Sequence, residues 1–271
     1  LAILRLNDDG SLGELIEKRQ NAGNHPHMVR ITPDNRFCIS VARGRPSDWP
    51  HFSWAADKAR QKEPGSLEVI EFRDGALGKQ TSVTVGDGYQ FGSRHLDFHP
   101  TSPWVYVQLE TQNEIVVFKR DESGVLPAPL QRLCTLENPD DILLRHMQGT
   151  VKVHPHGQAL YVANRAHEPI PQRNGTELLL KHLGENSFVV YAIDEATGLL
   201  TQIQRIDSGG ISPRDFGLDP SGSMLVVANC KGHWVKDGRN INWTPRNLST
   251  FKVFPDGRLE HRHKYEEPVP G

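Results

Sequence analysis

Two sets of side chains recur at fixed distances from turn prolines along the chain, and several of them are ionisable. The prolines are Pro33, Pro100, Pro155 and Pro220. Six residues before them lie, in order, His27, Arg94, Gly149 and Arg214. Ten residues after them lie Arg43, Glu110, Arg165 and Cys230. If each proline turn joins two strands, both sets of side chains meet at the open ends of hairpins.

An imidazole and several guanidinium groups gathered at one opening would form a cationic site that can also transfer protons. Arg presents a planar fork that suits carboxylate or phosphate and keeps its proton, so the expected substrate is small and anionic. His27 can take or give a proton near neutral pH. Glu110 would stay ionised among arginines and could orient Arg94 or serve as a base. An arginine beside a reacting carbonyl would stabilise the developing oxyanion.

The elements that must position these residues are short strands with apolar residues at every second position. The spacings between the prolines are 67, 55 and 65 residues, a loose period typical of repeat architectures. A second hairpin with an Asp-Gly or Ser-Gly turn follows in each repeat, as in LEVIEFRDGALGKQTSV at 67–83. The sequence therefore predicts an all-β propeller of four-stranded antiparallel blades. Four blades follow a leading half-blade at 1–20.

Three of the links between the two hairpins of a blade are long, at 44–65, 166–186 and 231–247. They carry Trp49, Trp54, Trp234 and Trp243, and short helices are predicted at 54–62 and 176–183. In an up-and-down blade these links lie over the same mouth as the aligned polar residues. Long loops in a compact domain are often lids or binding walls, although tolerated surface insertions remain an alternative.

Composition excludes some classes of partner. The formal net charge of −2 gives no electrostatic case for nucleic acid, and no apolar run approaches the length of a membrane span. Three cysteines are an odd and sparse set, which fits a reducing compartment. We therefore expect a cytoplasmic protein. Residues 1–271 are predicted to form one propeller domain that lacks its N-terminal blades.

Several runs carry a resemblance to a known family: HPHMVRITPDNRF, GSRHLDFHP followed by VYVQLETQNEIVVFKRDESG, LYVANRAH, and ISPRDFGLDPSGSMLVVAN. They resemble the lactonase family of seven-bladed β-propellers, which includes propeller-type 6-phosphogluconolactonases and the 3-carboxy-cis,cis-muconate cyclases. The resemblance covers essentially the whole chain. It implies a cofactor-free active site at one mouth of the propeller, with catalytic roles for His27, Arg94, Glu110 and Arg165. Arg214, Arg43 and Gln148 are predicted to bind substrate.

Plainer roles remain open for these residues. Arg94 and Glu110 could form a cross-strand salt bridge and no more, and Arg43, Arg165 or Arg214 could be structural. His25 and His27 could bind a metal, but no carboxylate or cysteine partner stands at a convincing spacing, so no metal site is predicted. Cys230 is expected to be a small buried strand residue. The remaining strand and turn histidines are expected to be structural: His95, His99, His154 and His156.

The favoured function is hydrolysis of a small anionic sugar lactone, as in 6-phosphogluconolactonases. The alternative within enzymes is the lactonising, cycloisomerase reaction on a carboxymuconate. The alternative outside enzymes is a propeller that serves as a binding scaffold, because a fold does not by itself specify a function. Exposed tryptophans on the long loops would favour the scaffold.

Overall fold

A computed structural model describes residues 1–45, 62–140, 146–166, 170–171, 177–180 and 184–267. Regular structure in these ranges consists of β-strands joined by turns. The all-β prediction is confirmed. Within the same ranges, no helix is long and apolar enough to cross a membrane.

The chain begins with an antiparallel two-stranded half-blade, formed by β1 (Ala2–Leu6) and β2 (Leu12–Lys18). The first blade follows as β3 (Pro26–Ile31), β4 (Phe37–Ala42), β5 (Ser66–Arg73) and β6 (Ala76–Val83). These four strands pair in chain order with neighbours antiparallel. Both units have the strand arrangement that the sequence predicts.

The second blade has a divided outer strand. Its strands are β7 (Ser93–Phe98), β8 (Trp104–Leu109), β9 (Glu114–Asp121), β10 (Gly124–Val125) and β11 (Gln131–Cys134). Both β10 and β11 pair with β9. Pro127 and Pro129 lie between β10 and β11. Proline has no amide hydrogen to donate to a β-ladder, so these residues divide the outer strand.

The third and fourth blades are each interrupted by two short strands after their second strand. The third begins with β12 (His146–Val153) and β13 (Ala159–Ala166), continues through β14 (Ile170–Pro171) and β15 (Glu177–Leu180), and resumes with β16 (Ser187–Ile193) and β17 (Leu200–Asp207). The fourth begins with β18 (Ile211–Leu218) and β19 (Met224–Lys231), continues through β20 (His233–Asp237) and β21 (Asn240–Thr244), and ends with β22 (Asn247–Val253) and β23 (Leu259–Glu266).

The four interrupting strands assemble into one additional sheet, which we call the lid sheet, in the order β14, β15, β20, β21. Strand β15 pairs with β20 in parallel, so the links of two neighbouring blades are joined. The helix predicted at 176–183 is therefore wrong over Glu177–Leu180. A helix this short is marginal by itself, whereas a strand gains backbone partners on both sides. The other predicted helix, at 54–62, falls almost wholly outside the described residues.

The hydrophobic core lies between successive blades. On β8, Val105 and Val107 pack towards the first blade, whereas Trp104 and Tyr106 pack towards the third. Successive side chains of a strand point to opposite faces, so a strand buried on both faces reads as a nearly continuous apolar run. Between the third and fourth blades, Phe188 packs edge-on against Phe216 and Phe251. The apolar positions of the strands thus hold the blades side by side.

Candidate functional site

A β-bulge occurs at the same place in the innermost strand of each of the four blades. The register with the second strand shifts around His27, around Arg94, between Gln148 and Val151, and around Arg214. A bulge leaves its extra residue out of the ladder, and bulges often re-aim a side chain at a functional site. The bulges coincide with the first set of aligned residues in the sequence. We call the end of the blades where they lie the mouth.

Three arginines converge on Glu110, which directly follows β8. Arg165 donates from Nη2 to Glu110 Oε1 at 2.6 Å, and Arg43 donates from Nη1 to Oε2 at 2.9 Å. The Nε atom of Arg94 lies 3.0 Å from Oε1. Because Arg43, Arg94 and Arg165 belong to the first, second and third blades, one carboxylate links three blades. We call these four residues the Glu110 clamp.

The Glu110 clamp is nearly sealed from solvent. The side chains of Glu110, Arg94 and Arg165 are 3%, 4% and 1% exposed, whereas Arg43 is 29% exposed. Burial alone would raise the pKa of Glu110, but Arg94, Arg43 and Arg165 outweigh it and hold that pKa below its usual value. Burial lowers the pKa of Arg94 to about 10, which leaves it charged at neutral pH. Glu110 is therefore an ionised anchor and a poor proton acceptor.

Backbone carbonyls of the third blade hold two of these arginines. Arg94 Nη1 donates to the carbonyl of Gly149, and Arg165 Nε donates to the carbonyl of Gln148 at 3.1 Å. The Gln148 side chain is fully buried and contacts the Thr135 hydroxyl at 2.7 Å. This side chain is thus engaged inside the protein, and the backbone amide of Gln148 donates to the carbonyl of Glu110 at 3.0 Å. We expect Gln148 to position Arg165, in place of the substrate contact predicted from the sequence.

Gly149 stands where the other blades carry His or Arg because the neighbouring backbone leaves no room for a side chain. A Cβ built there would lie 2.2 Å from the carbonyl oxygen of Pro213 in the fourth blade. Non-bonded atoms do not approach this closely, so a larger residue would separate the two blades. The first aligned set therefore has glycine in the third blade because β12 and β18 pack too closely for a side chain at this position.

His27 lies at the mouth, where it remains accessible to solvent. Partial desolvation and then the Arg94 guanidinium lower the pKa of His27 to about 4, with Glu110 acting in the opposite direction. The imidazole is therefore neutral at pH 7 and can accept a proton. Its ring packs edge-on against the ring of His95, with the ring centroids 5.0 Å apart.

Arg214 is exposed at the bulge of the fourth blade. Its charge acts on His27, Arg94 and Arg165, since it contributes to lowering the pKa of each of them. Together with the partly exposed Arg43, it offers guanidinium groups that a bound anion can reach. Cys230 is half-buried, and its Sγ lies 3.6 Å from Ser212 Oγ. The structure therefore brings the predicted site residues together at one mouth, with the Gln148 side chain fully buried and its backbone bonded to the Glu110 clamp.

His25 takes part in contacts at the edge of the mouth. Its Nε2 lies 2.7 Å from Glu63 Oε2 and 2.9 Å from Arg45 Nη2. Among the described residues, no group of three or more His, Cys, Asp or Glu side chains is arranged to hold a metal ion. The remaining predicted structural histidines include His99 and His154, which pack against the turn glycines Gly157 and Gly222 of the following blades.

The tryptophans of the long links are described in part. Trp234 and Trp243 face each other across the β20–β21 hairpin, in an edge-on contact with ring centroids 5.6 Å apart. Trp234 is 47% exposed. Trp49 and Trp54 lie outside the described residues. Trp243 is half-buried, so Trp234 is the described tryptophan that presents the exposed apolar surface a scaffold would use.

Sequence reasoning missed His95 as a mouth residue, because adjacent residues of a regular strand point to opposite faces. His95 directly follows Arg94, and the bulge breaks this alternation. Its Nδ1 lies 2.5 Å from Thr150 Oγ1 in the third blade. The sequence does place His95 next to the aligned Arg94. That position indicates a mouth residue only if the bulge between Ser93 and His95 is already known.

The fold and the site define a β-propeller with a cationic mouth that contains a neutral imidazole. A family model described as "Lactonase, 7-bladed beta-propeller" matches residues 1–237. The chain therefore belongs to this lactonase family, and the resemblance noted in the sequence is confirmed.

Individual relatives agree with this placement. A 6-phosphogluconolactonase of Bacillus subtilis is 24% identical over 236 residues, covering 84% of this chain and 56% of that protein. A solved Lactobacillus plantarum protein superposes with a TM-score of 0.69 at 23% identity, over 98% of this chain and 64% of that one. The Pseudomonas aeruginosa periplasmic gluconolactonase PpgL gives a TM-score of 0.66 at 20% identity, over 98% and 63%. The chain thus spans less than two thirds of each of these relatives.

Proposed function

We propose that the protein hydrolyses a small anionic sugar lactone at the mouth, with 6-phosphogluconolactone as the favoured substrate. Membership of the lactonase family and similarity to the B. subtilis 6-phosphogluconolactonase support this class of reaction. The observation that carries the proposal is a neutral, accessible His27 among guanidinium groups at the ends of neighbouring inner strands.

In the proposed reaction, His27 is the general base. It takes a proton from a water molecule whose oxygen attacks the carbonyl carbon of the lactone. The tetrahedral intermediate then breaks its ring C–O bond, and the protonated imidazole returns the proton to the departing alkoxide oxygen. The products are the free acid and a hydroxyl group on the same molecule. The lone pair of His27 is available at pH 7, and its low pKa makes the ring a weaker base than an ordinary histidine but its protonated form a stronger acid for returning the proton.

The guanidinium groups have divided roles in this proposal. Arg43 and Arg214 are accessible and would bind the phosphate or carboxylate of the substrate. Arg94 and Arg165 are buried against Glu110 and would supply fixed positive potential near the oxygen that gains charge. Glu110 would keep these groups in place and would not accept the proton itself.

The experiment is a turnover assay on 6-phosphogluconolactone, uncharged gluconolactone and a panel of muconolactones, with spontaneous hydrolysis subtracted. We expect the phosphorylated lactone to be preferred, because an uncharged lactone offers nothing to Arg43 and Arg214. His27→Gln should lower kcat/KM by about 10²–10⁴-fold, the usual contribution of a general base. His156→Gln is the control, because His156 is an exposed residue in the turn at the opposite end of β12.

The pH profile gives a second readout of the same proposal. The base is lost as pH falls through the pKa of His27, so the acid limb of kcat/KM should lie near pH 4 instead of near 6.5, the usual value for histidine. Full activity in His27→Gln would refute the assignment of the base. If the protein turns over a muconolactone but not the sugar lactone, the proposed substrate is wrong and the carboxymuconate reaction takes its place. If it turns over neither, a binding scaffold is favoured.

A further inference from the structure

His95 bridges the inner strands of three blades. From β7 it packs edge-on against His27 of the first blade and reaches Thr150 Oγ1 of the third blade with Nδ1, at 2.5 Å. Arg94 Nη1 lies 3.5 Å from the same nitrogen. Thr150 is 2% exposed, so this side of the His95 ring is held by buried groups.

These contacts favour one tautomer of His95. A guanidinium can only donate hydrogen bonds, so the Nδ1 atom facing Arg94 carries the lone pair. The Thr150 hydroxyl can rotate to donate to the same nitrogen. The hydrogen of the neutral ring is then on Nε2. This atom forms no hydrogen bond with any described residue and is not among the fully buried atoms that lack a partner.

We propose that His95 is a further catalytic residue, whose Nε2–H donates to the carbonyl oxygen of the lactone and stabilises the oxyanion of the tetrahedral intermediate. Thr150 is the positioning residue that holds the ring in this tautomer. The inference rests on the proposed function, since it concerns the same mouth and the same substrate. It divides the work between adjacent imidazoles, with His27 as base and His95 as donor.

The charges around the ring support a neutral donor. Burial, followed by Arg94, His27, Lys152 and Arg165, lowers the pKa of His95 to about 3. At neutral pH the ring therefore carries one hydrogen, which Thr150 and Arg94 direct to Nε2. A fixed donor near the reacting oxygen needs no reorganisation when charge develops there. A neutral His95 also places no second positive charge beside the base.

Two isosteric variants test the donor. Glutamine places its amide nitrogen near the position of imidazole Nε2, whereas asparagine places its amide near Nδ1. We expect His95→Gln to keep kcat within about tenfold of the wild type and His95→Asn to lose about 10²–10³-fold, the usual cost of an oxyanion-hole donor. KM should change little in either variant. Wild-type kcat in His95→Asn, or equal losses in both variants, would overturn the proposal.

Thr150 gives a matched pair for the positioning role. Thr150→Ser keeps the hydroxyl group and should keep kcat, whereas Thr150→Val removes it and should lower kcat at unchanged KM. Equal activity of these variants would overturn the positioning of Nδ1 on which the donor depends. Thermal unfolding of each variant shows whether a loss of activity comes from a loss of fold.

A reaction-independent measurement separates this inference from the proposed function. Long-range ¹H–¹⁵N spectra of histidine-labelled protein report the tautomer of each ring, and the His95→Gln spectrum identifies the His95 signals. We expect the Nε2–H tautomer in the wild type. The Nδ1–H tautomer in an active enzyme would overturn the role of His95 and leave the lactonase proposal standing. Failure of the wild type on every lactone would refute the proposed function, whatever the tautomer.

Discussion

Glu110 shows how one buried carboxylate can organise a cationic mouth. Its two oxygens are shared by three guanidinium groups from three blades. Without it, Arg43, Arg94 and Arg165 would repel one another in a poorly solvated site. The arrangement keeps positive potential at the mouth, because three cations are only partly neutralised by one anion. The plain cross-strand salt bridge that the sequence allowed between Arg94 and Glu110 is thus part of a larger cluster.

Replacing Glu110 by glutamine should destabilise the protein strongly. The variant leaves buried guanidinium groups without their carboxylate, and breaking a buried ion pair in this way costs about 3–5 kcal/mol. Chemical denaturation of Glu110→Gln measures the loss in the free energy of unfolding. Glu14→Gln is the matched control, since the ion pair of Glu14 with Arg5 is exposed and such pairs contribute about 0–1 kcal/mol. Similar losses in both variants would contradict the anchoring role of Glu110.

At the scale of elements, the innermost strands also connect neighbouring blades. Further along β7 from the mouth, Asp97 accepts from Arg30 Nη2 at 2.7 Å and from the amide of Val153 at 2.9 Å. Asp97 therefore joins the first, second and third blades, as Glu110 does. In these three blades the bulge lies between the two connections, which hold the innermost strand on either side of it. The lid sheet adds a second kind of link, between the third and fourth blades.

Gly149→Ala should loosen the contact between the third and fourth blades. The new Cβ would meet the Pro213 carbonyl of the neighbouring backbone, and forcing extra atoms into a packed site costs about 1–3 kcal/mol. Gly217→Ala is the control, because Gly217 also lies within a strand and has nothing within 4 Å of its built Cβ. Thermal and chemical unfolding of both variants measure the difference. A Gly149→Ala protein as stable as Gly217→Ala would contradict the close approach of β12 and β18.

At the scale of the whole molecule, stability is distributed unevenly around the blades. Side chains of the second blade pack on both sides, whereas the half-blade exposes apolar residues such as Leu6 and Leu12, which are 68% and 73% exposed. The half-blade is tied to the first blade by Arg19, which donates to the carbonyls of Leu77 and Gly78. A two-stranded hairpin is marginally stable by itself, so within the described residues the half-blade is held less firmly than the complete blades.

Amide hydrogen exchange should therefore rank the blades. We expect the amides of β1 and β2 to exchange by local opening, well before those of β8, whose exchange requires global unfolding. Exchange followed by mass spectrometry of peptides resolves the two regions. The hairpin β22–β23 provides an internal comparison. It is also a two-stranded hairpin, but it pairs with β19 within a four-stranded sheet, so its amides should exchange more slowly than those of β1 and β2. Equal protection of the half-blade and β8 would show that the half-blade is held by more than these contacts.

The strands, the hairpin turns and the two aligned sets of polar residues could be read from the sequence, because alternation and turn chemistry are local properties. The same is true of the propeller class, which follows from repetition of one local unit. The joint placement of Arg94 and His95, the three-blade clamp on Glu110 and the inward turn of Gln148 could not. The clamp arises where residues 55 or 67 positions apart meet between blades, and the bulges and close backbone contacts depend on packing that no local pattern encodes.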